Sequence, residues 1–290
     1  MNAVHRILAA TVIILTTAVA SGELGTAEKL FYIINYTITR CNAEIELNGI
    51  TVTGSKKEDS FSVTGFADIG IWIRPGSNRL SVVIKPTPRM KDSVFNPGIE
   101  VSISTAREGQ MSDEGKKIFE YRFPGKDGGE SPADIKKPVR KDVAFKPDYI
   151  PPSELWDKIK PVKLDSASRK LIITLVKDYH AAFVRKDADA LYNLLLFASM
   201  DVARLRHRPV EDVKTKMKGA LKETMTEKNF IMAPLNAGRL VLKPVLDGMV
   251  IQVTDTAGEA PVRTKATKDS GSYSFPVYAG FIDGKWIIVR

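Results

Sequence analysis

Histidine and cysteine are scarce in this 290-residue chain, at three and one respectively. The single thiol, Cys41, cannot close an internal disulfide, and beyond position 5 the only histidines are His180 and His207. A structural zinc site of four Cys or His ligands cannot be assembled from that set. Asp187 and Asp189 lack the remaining ligands and the central glycine of a calcium loop, so they read as helix-capping acids. Also missing are a Gly-x-Ser-x-Gly nucleophile elbow and both glycine motifs that cradle phosphates. No metal, no cofactor and no complete catalytic constellation is expected, and Cys41 reads as a buried free thiol on a strand.

Long hydrophobic runs are missing as well, with one exception at the start. Arg6 precedes an uncharged, mostly apolar run from Ile7 to Ala20, which ends in the small-x-small triplet Ala18-Val19-Ala20. That order is the signature of a secretory signal peptide over residues 1–20. A bilayer-spanning helix needs about 20 apolar residues, and Glu23 closes this run early. The expectation is export to the periplasm or the extracellular space, with no transmembrane segment in the mature chain. Asn35-Tyr36-Thr37 fits a glycosylation sequon, a tripeptide that also arises by chance.

What the chain does have is a change of language partway along. Between residues 29 and 124 lie short runs rich in Ile, Val, Phe, Tyr and Thr: Phe31–Thr39, Ala43–Leu47, Ile50–Thr53, Ser60–Val63, Ile69–Ile73, Arg79–Lys85, Gly98–Thr105 and Lys117–Phe123. Asn48-Gly49 is a two-residue hairpin signal, and Leu80, Val82 and Ile84 alternate cleanly. Repeated short strands of this kind indicate an all-β sandwich. Residues 125–164 bring Gly125–Gly129 and six prolines, and read as a linker holding a short helix near Ser153–Lys160.

From 165 to 290 the period becomes helical. Asp165 or Ser166 caps a helix to about Arg185 with Leu171, Leu175, Tyr179, Ala182 and Phe183 on one side; Asp187 caps a second, and a third follows Pro209. Strands return over Phe230–Leu235, Leu240–Leu246, Met249–Thr254, Tyr273–Ile282 and Lys285–Val289, with Asp283-Gly284 as a second hairpin turn. Helices followed by strands indicate an α+β domain with three helices packed on one face of an antiparallel sheet.

Two resemblances accompany this reading. Glu44-Ile45-Glu46-Leu47-Asn48-Gly49, Ala67-Asp68-Ile69 and Ile73-Arg74-Pro75-Gly76-Ser77-Asn78-Arg79-Leu80 resemble the galactose-binding-like jelly roll, an accessory module of glycosidases. Tyr179-His180-Ala181-Ala182-Phe183-Val184-Arg185-Lys186-Asp187 and the closing Asp283-Gly284-Lys285-Trp286 resemble the ketosteroid isomerase and nuclear-transport-factor superfamily, a cone of curved sheet closed by helices. In active isomerases an oxyanion-stabilising tyrosine falls where Tyr179 stands. Counterparts of the carboxylate base and the acidic donor are not found, and many relatives keep the cone for binding or dimerisation.

The candidate ligand pocket is therefore Tyr179, His180, Phe183 and Trp286. The resemblance gives Tyr179 a donor's role there, whereas a tyrosine on a helical apolar stripe is more often packing. A candidate basic surface comprises Arg204, Arg206 and Arg208 with Lys214, Lys218 and Lys222, the lysines spaced by four along one helix side. Residues 165–290 carry 20 basic and 14 acidic side chains. The partners this admits are a protein, an anionic envelope polymer or a second copy docked through the C-terminal sheet. Export and the lack of a reader motif argue against nucleic acid. The leading expectation is an exported, non-catalytic binding or assembly protein; the alternative is a small-ligand carrier or isomerase-like enzyme using the cone.

Overall fold

The computed structural model describes residues 29–39, 41–54, 62–85, 98–111, 114–124, 137–266 and 272–290. The expected signal segment and the glycine run at 125–129 lie outside the described residues. The chain is β-rich and divides into two compact units, one spanning Glu23–Pro152 and the other containing Ser153–Arg290. Among the described residues no helix is long and apolar enough to cross a membrane.

The first unit is built from strands β1 (Leu30–Thr39), β2 (Asn42–Leu47), β3 (Ile50–Gly54), β4 (Ser62–Asp68), β5 (Asn78–Lys85), β6 (Gly98–Arg107), β7 (Lys116–Phe123) and β8 (Val139–Phe145). They form two antiparallel sheets, in the orders β4-β1-β6-β7 and β3-β2-β5-β8. Each sheet buries one side of its alternating pattern. In β1 these are Tyr32, Ile34 and Ile38, and in β5 Leu80, Val82 and Ile84. Asn48 and Gly49 close the β2–β3 hairpin with φ of 53° and 85°, the left-handed values such a turn requires.

Two readings of this half change. Ile69–Ile73, expected as a strand, turns through a 3-10 segment at Gly70–Trp72, because Asp68 Oδ1 accepts the Gly70 N–H at 2.7 Å and pulls the backbone round. Ile69, Trp72 and Ile73 are buried all the same, so the run carries the apolar pattern of a strand. The proposed linker is not one over its described part. β8 pairs with β5 from Asn78↔Phe145 to Ile84↔Val139, and Tyr32 Oη, fully buried, donates to Tyr149 O (2.7 Å) and accepts from Tyr149 N (3.2 Å). Residues from Ser153 onward belong to the second unit.

That second unit opens with α1 (Glu154–Lys158), followed by α2 (Ser166–Val184), α3 (Ala188–Leu194), α4 (Leu196–Leu205) and α5 (Val210–Thr226). Strands β9 (Leu240–Val245), β10 (Val250–Asp255), β13 (Val277–Ile282) and β14 (Lys285–Ile288) make one antiparallel sheet ordered β14-β13-β10-β9; β11 (Val262–Arg263) pairs with β12 (Ser274–Phe275). Among the described residues there are five helices in place of the three expected: α1 joins from the supposed linker, and the helix after Asp187 breaks at Leu195, whose φ of −98° and ψ of 7° leave the helical basin. Of the two candidates for the cap of α2 it is Asp165 that serves, accepting from Ser168 N (2.7 Å), and Asp187 caps α3 as expected, accepting from Ala190 N (2.9 Å). On α2 the buried stripe is Ile172, Val176, Tyr179, Ala182 and Phe183, while Leu171 stands exposed. Of the strand expected at Phe230–Leu235 a single bridge remains, Met232↔Thr264. Pro276, which has no N–H to donate, separates β12 from β13.

Candidate functional site

Three of the four pocket residues meet inside the second unit. Tyr179 and Phe183 from α2 and Trp286 from β14 share one apolar cluster with Phe230, Phe275 and the inward side chains of the sheet. Phe183 stacks on Phe275 with centroids 4.0 Å apart and planes at 27°, and it meets Tyr179 edge-on at 5.0 Å and 70°. Phe230 completes the group at 6.2 Å from both Phe183 and Phe275. Offset and edge-on contacts of this kind add about 0.5 to 1.5 kcal/mol beyond burial. The side of α2 turned toward the sheet is thus lined by packed rings.

Tyr179 is 1% exposed, and burial alone pushes its pKa well above the ordinary tyrosine value. His180, the fourth residue, is on the flank of α2 and outside that cluster. Its Nε2 lies 2.8 Å from the Ala233 carbonyl oxygen and pins the stretch before β9 against the helix. Among the described residues no group of three or more His, Cys, Asp and Glu side chains is arranged to hold a metal ion.

The basic surface separates into two parts with local explanations. Arg204, Arg206 and Arg208 surround the C-terminal end of α4. There the Arg208 N–H bonds Ala203 O at 2.9 Å, the His207 N–H bonds Arg204 O at 2.9 Å, and His207 takes the left-handed φ of 49°. This is a Schellman closure, and cations at a helix C-terminus complement its dipole. Arg204 also pairs with Glu154. Along α5, Lys214 pairs with Glu211 (2.9 Å) and Lys218 with Asp189 (2.6 Å), and Lys218 Nζ lies 5.0 Å from the centre of the Tyr192 ring. The hydrogen bond from Lys218 and its charge, with a smaller contribution from Lys222, hold the Asp189 carboxyl below the usual range. The lysine stripe is interleaved with acids brought from α3 as well as from its own helix.

A charged pair that sequence reading missed lies deepest. Asp201 on α4 and Arg290 after β14 have side chains 0% and 3% exposed, with Arg290 Nη2 2.7 Å from Asp201 Oδ2. The same carboxylate accepts from Ser153 Oγ (2.7 Å), Glu154 N (2.6 Å) and Leu155 N (3.3 Å), so it caps α1 in place of Ser153, whose own side chain makes no cap. Burial pulls the Arg290 pKa below its ordinary value, and Asp201 opposes that. No local motif announces a pair drawn from α4 and from the residue after β14; the one signal was a charged residue, Asp201, between the apolar side chains of Phe197 and Val202. Compared with protein-family models, curated proteins and solved structures, the chain matches none.

Proposed function

We propose that the chain is an exported, two-domain protein that acts in binding or assembly and carries out no catalysis. The first unit is read as a galactose-binding-like sandwich, and the second as an α+β cone of the ketosteroid isomerase and nuclear-transport-factor type. Export rests on the charged, apolar and small-residue order of residues 1–20.

The observation that carries this reading is the environment of Tyr179. A cone working on a small molecule needs a polar recess with an acid or base within hydrogen-bond reach of the tyrosine. Here the ring is packed against Phe183, and burial alone governs its ionisation. The test is Tyr179→Phe in the full chain, examined by native mass spectrometry and thermal melting. The expected result is no co-purifying small molecule in either protein and a change in stability within about 0.5 kcal/mol, since the substitution strands no hydrogen-bond partner. A molecule that travels with the wild type and is lost from a Tyr179→Phe protein of equal melting temperature would move the protein to the small-ligand class. Sequencing the N-terminus of the protein recovered from outside the cytoplasm tests export, with Ser21 the expected first residue.

A further inference from the structure

Among the described residues the two sheets of the first unit end in the edge strands β4, β7, β3 and β8, and all but one of these are guarded. β7 carries Lys116, Lys117, Glu120 and Arg122 and a break of register opposite Ile103 and Ser104. β8 carries Arg140, Lys141 and Asp142, and β3 is only five residues long and pairs with β2 across a bulge at Ile45 and Glu46. Charge, bulges and shortness are what keep an exposed strand from pairing with another chain. β4 has none of them. It pairs with β1 in unbroken register from Ile33↔Asp68 to Thr39↔Ser62, with no proline and no charge before Asp68.

That register fixes which backbone groups stand on the open side. Ile69 N–H bonds Tyr32 O at 2.8 Å, so Tyr32 and, by alternation, Ile34, Tyr36 and Ile38 turn their N–H and C=O toward β4. Ala67, Gly65 and Val63 answer them. Ser62, Thr64 and Phe66 therefore direct theirs away from β1, to a side where no strand lies among the described residues. The side chains are open as well, Phe66 being 69% exposed and Val63 38%. A Cβ at Gly65 would come within 2.6 Å of Tyr36 Oη, so the Tyr36 ring lies over the strand and only a glycine admits it.

We propose that β4 is where a second copy of the chain adds, its own β4 lying antiparallel about a two-fold axis at Gly65. The backbone of an open edge is matched by another strand, and the order of residues in β4 singles out a like one. When two copies overlap over the whole strand, Gly65 faces its own counterpart, Thr64 faces Phe66, Val63 faces Ala67 and Ser62 faces Asp68. Thr64 and Phe66, whose backbones open outward, then form the hydrogen-bonded pairs, and the two phenylalanines lie diagonally across the join. The single acid meets a hydroxyl, so no like charges oppose, and each Tyr36 ring keeps its place over a glycine. The product is one sheet continuous through both copies, and the pairing is closed. This rests on the reading of the chain as an assembly protein and gives it a partner; its failure shows in mass, whereas failure of that reading shows in a small molecule bound at Tyr179.

The experiment uses the full chain as recovered from cells, with sedimentation over a wide range of concentration and amide hydrogen exchange along β4. Thr64→Pro removes an N–H that points away from β1, so it blocks the added strand and leaves the bonds within the sheet. Phe66→Lys sets a charge on either side of the join, where the two repel. The expected result is a wild-type mass that rises with concentration to twice that of one chain, and Thr64 and Phe66 amides whose exchange slows over the same range. Both variants should hold the mass of one chain at every concentration and melt where the wild type melts at low concentration. A wild type that keeps single-chain mass throughout would overturn the proposal, and so would a doubling that survives both substitutions or an open series of larger species. Should the variants fail to fold, the wild-type exchange decides alone: Thr64 and Phe66 amides that exchange at a rate independent of concentration overturn it.

Discussion

Each unit ties distant stretches of chain together with a buried polar knot, and the two knots differ in charge. In the first unit Asn78 is fully buried. Its Oδ1 accepts from Asn48 Nδ2 (2.8 Å) and Arg74 N (3.1 Å), and its Nδ2 donates to Arg74 O (2.9 Å). Asn48 in turn donates to Trp72 O (3.1 Å) and accepts from Arg79 N (2.9 Å), joining the β2–β3 hairpin to the loop before β5. Two neutral amides satisfy one another and the backbone, with no charge to desolvate. In the second unit the knot is Asp201–Arg290, where two charges leave water and depend on each other. The difference teaches that loss of one partner is a graded injury in the first unit and an abrupt one in the second, since it strands a buried charge.

Four measurements sharpen or break that contrast, beginning with a change that involves neither knot and sets the upper scale. Phe183→Ala removes a ring packed against Tyr179, Phe230 and Phe275, and should cost about 4 to 5 kcal/mol in the denaturant transition of the second unit. Asp201→Ala should cost about 3 to 4 kcal/mol by stranding Arg290 and uncapping α1. Asn78→Ala should cost about 2 kcal/mol and shift the transition of the first unit alone; a loss larger than that of Asp201→Ala would break the comparison. Smallest is Lys218→Ala, which removes an exposed pair and should leave the melting temperature within the repeatability of the measurement.

Alkaline pH probes both units together. Burial raises Cys41 in the first unit from its ordinary value near 9 to about 12. In the second unit burial, partly offset by a hydrogen bond from Gln252, raises Tyr278 from 10 to about 12. The unfolded chain therefore releases these protons first, and the stability they contribute is complete below pH 9 and is lost as pH rises toward 12. Denaturant midpoints taken between pH 8 and 11.5 should fall steadily. A native thiol that reacts with an alkylating reagent at pH 8 as fast as the unfolded one would contradict the burial of Cys41.

How much of this was legible depended on how local the cause was. Asn48-Gly49 and Asp283-Gly284 announced their turns because the φ requirement sits within two residues. The capping role of Asp187 was legible for the same reason, while the cap of α2 was legible only as Asp165 or Ser166. β8 was hidden because Lys141 interrupts the alternation of Val139, Val143 and Phe145, and prolines bracket the run on both sides; its pairing with β5 comes from across the unit. The inward side of α2 was misjudged at its first turn, where Leu171 and Ile172 are equally apolar and only tertiary packing selects the second. At the candidate site, the packing of Tyr179 with Phe183 followed from their spacing on one helix. The latch of Asp201 and Arg290 had no spacing to read.

That latch also sets an order of events for a newly made chain. A five-residue helix is too short to persist alone in water. Although α1 leads its unit from the N-terminal side, its cap comes from α4, and the charge of that cap is neutralised only by Arg290, which follows β14. On a ribosome the segment Ser153–Lys158 would therefore emerge early and wait, unstructured, until every other element of its unit had been synthesised. The first helix of the unit becomes the last to be fixed.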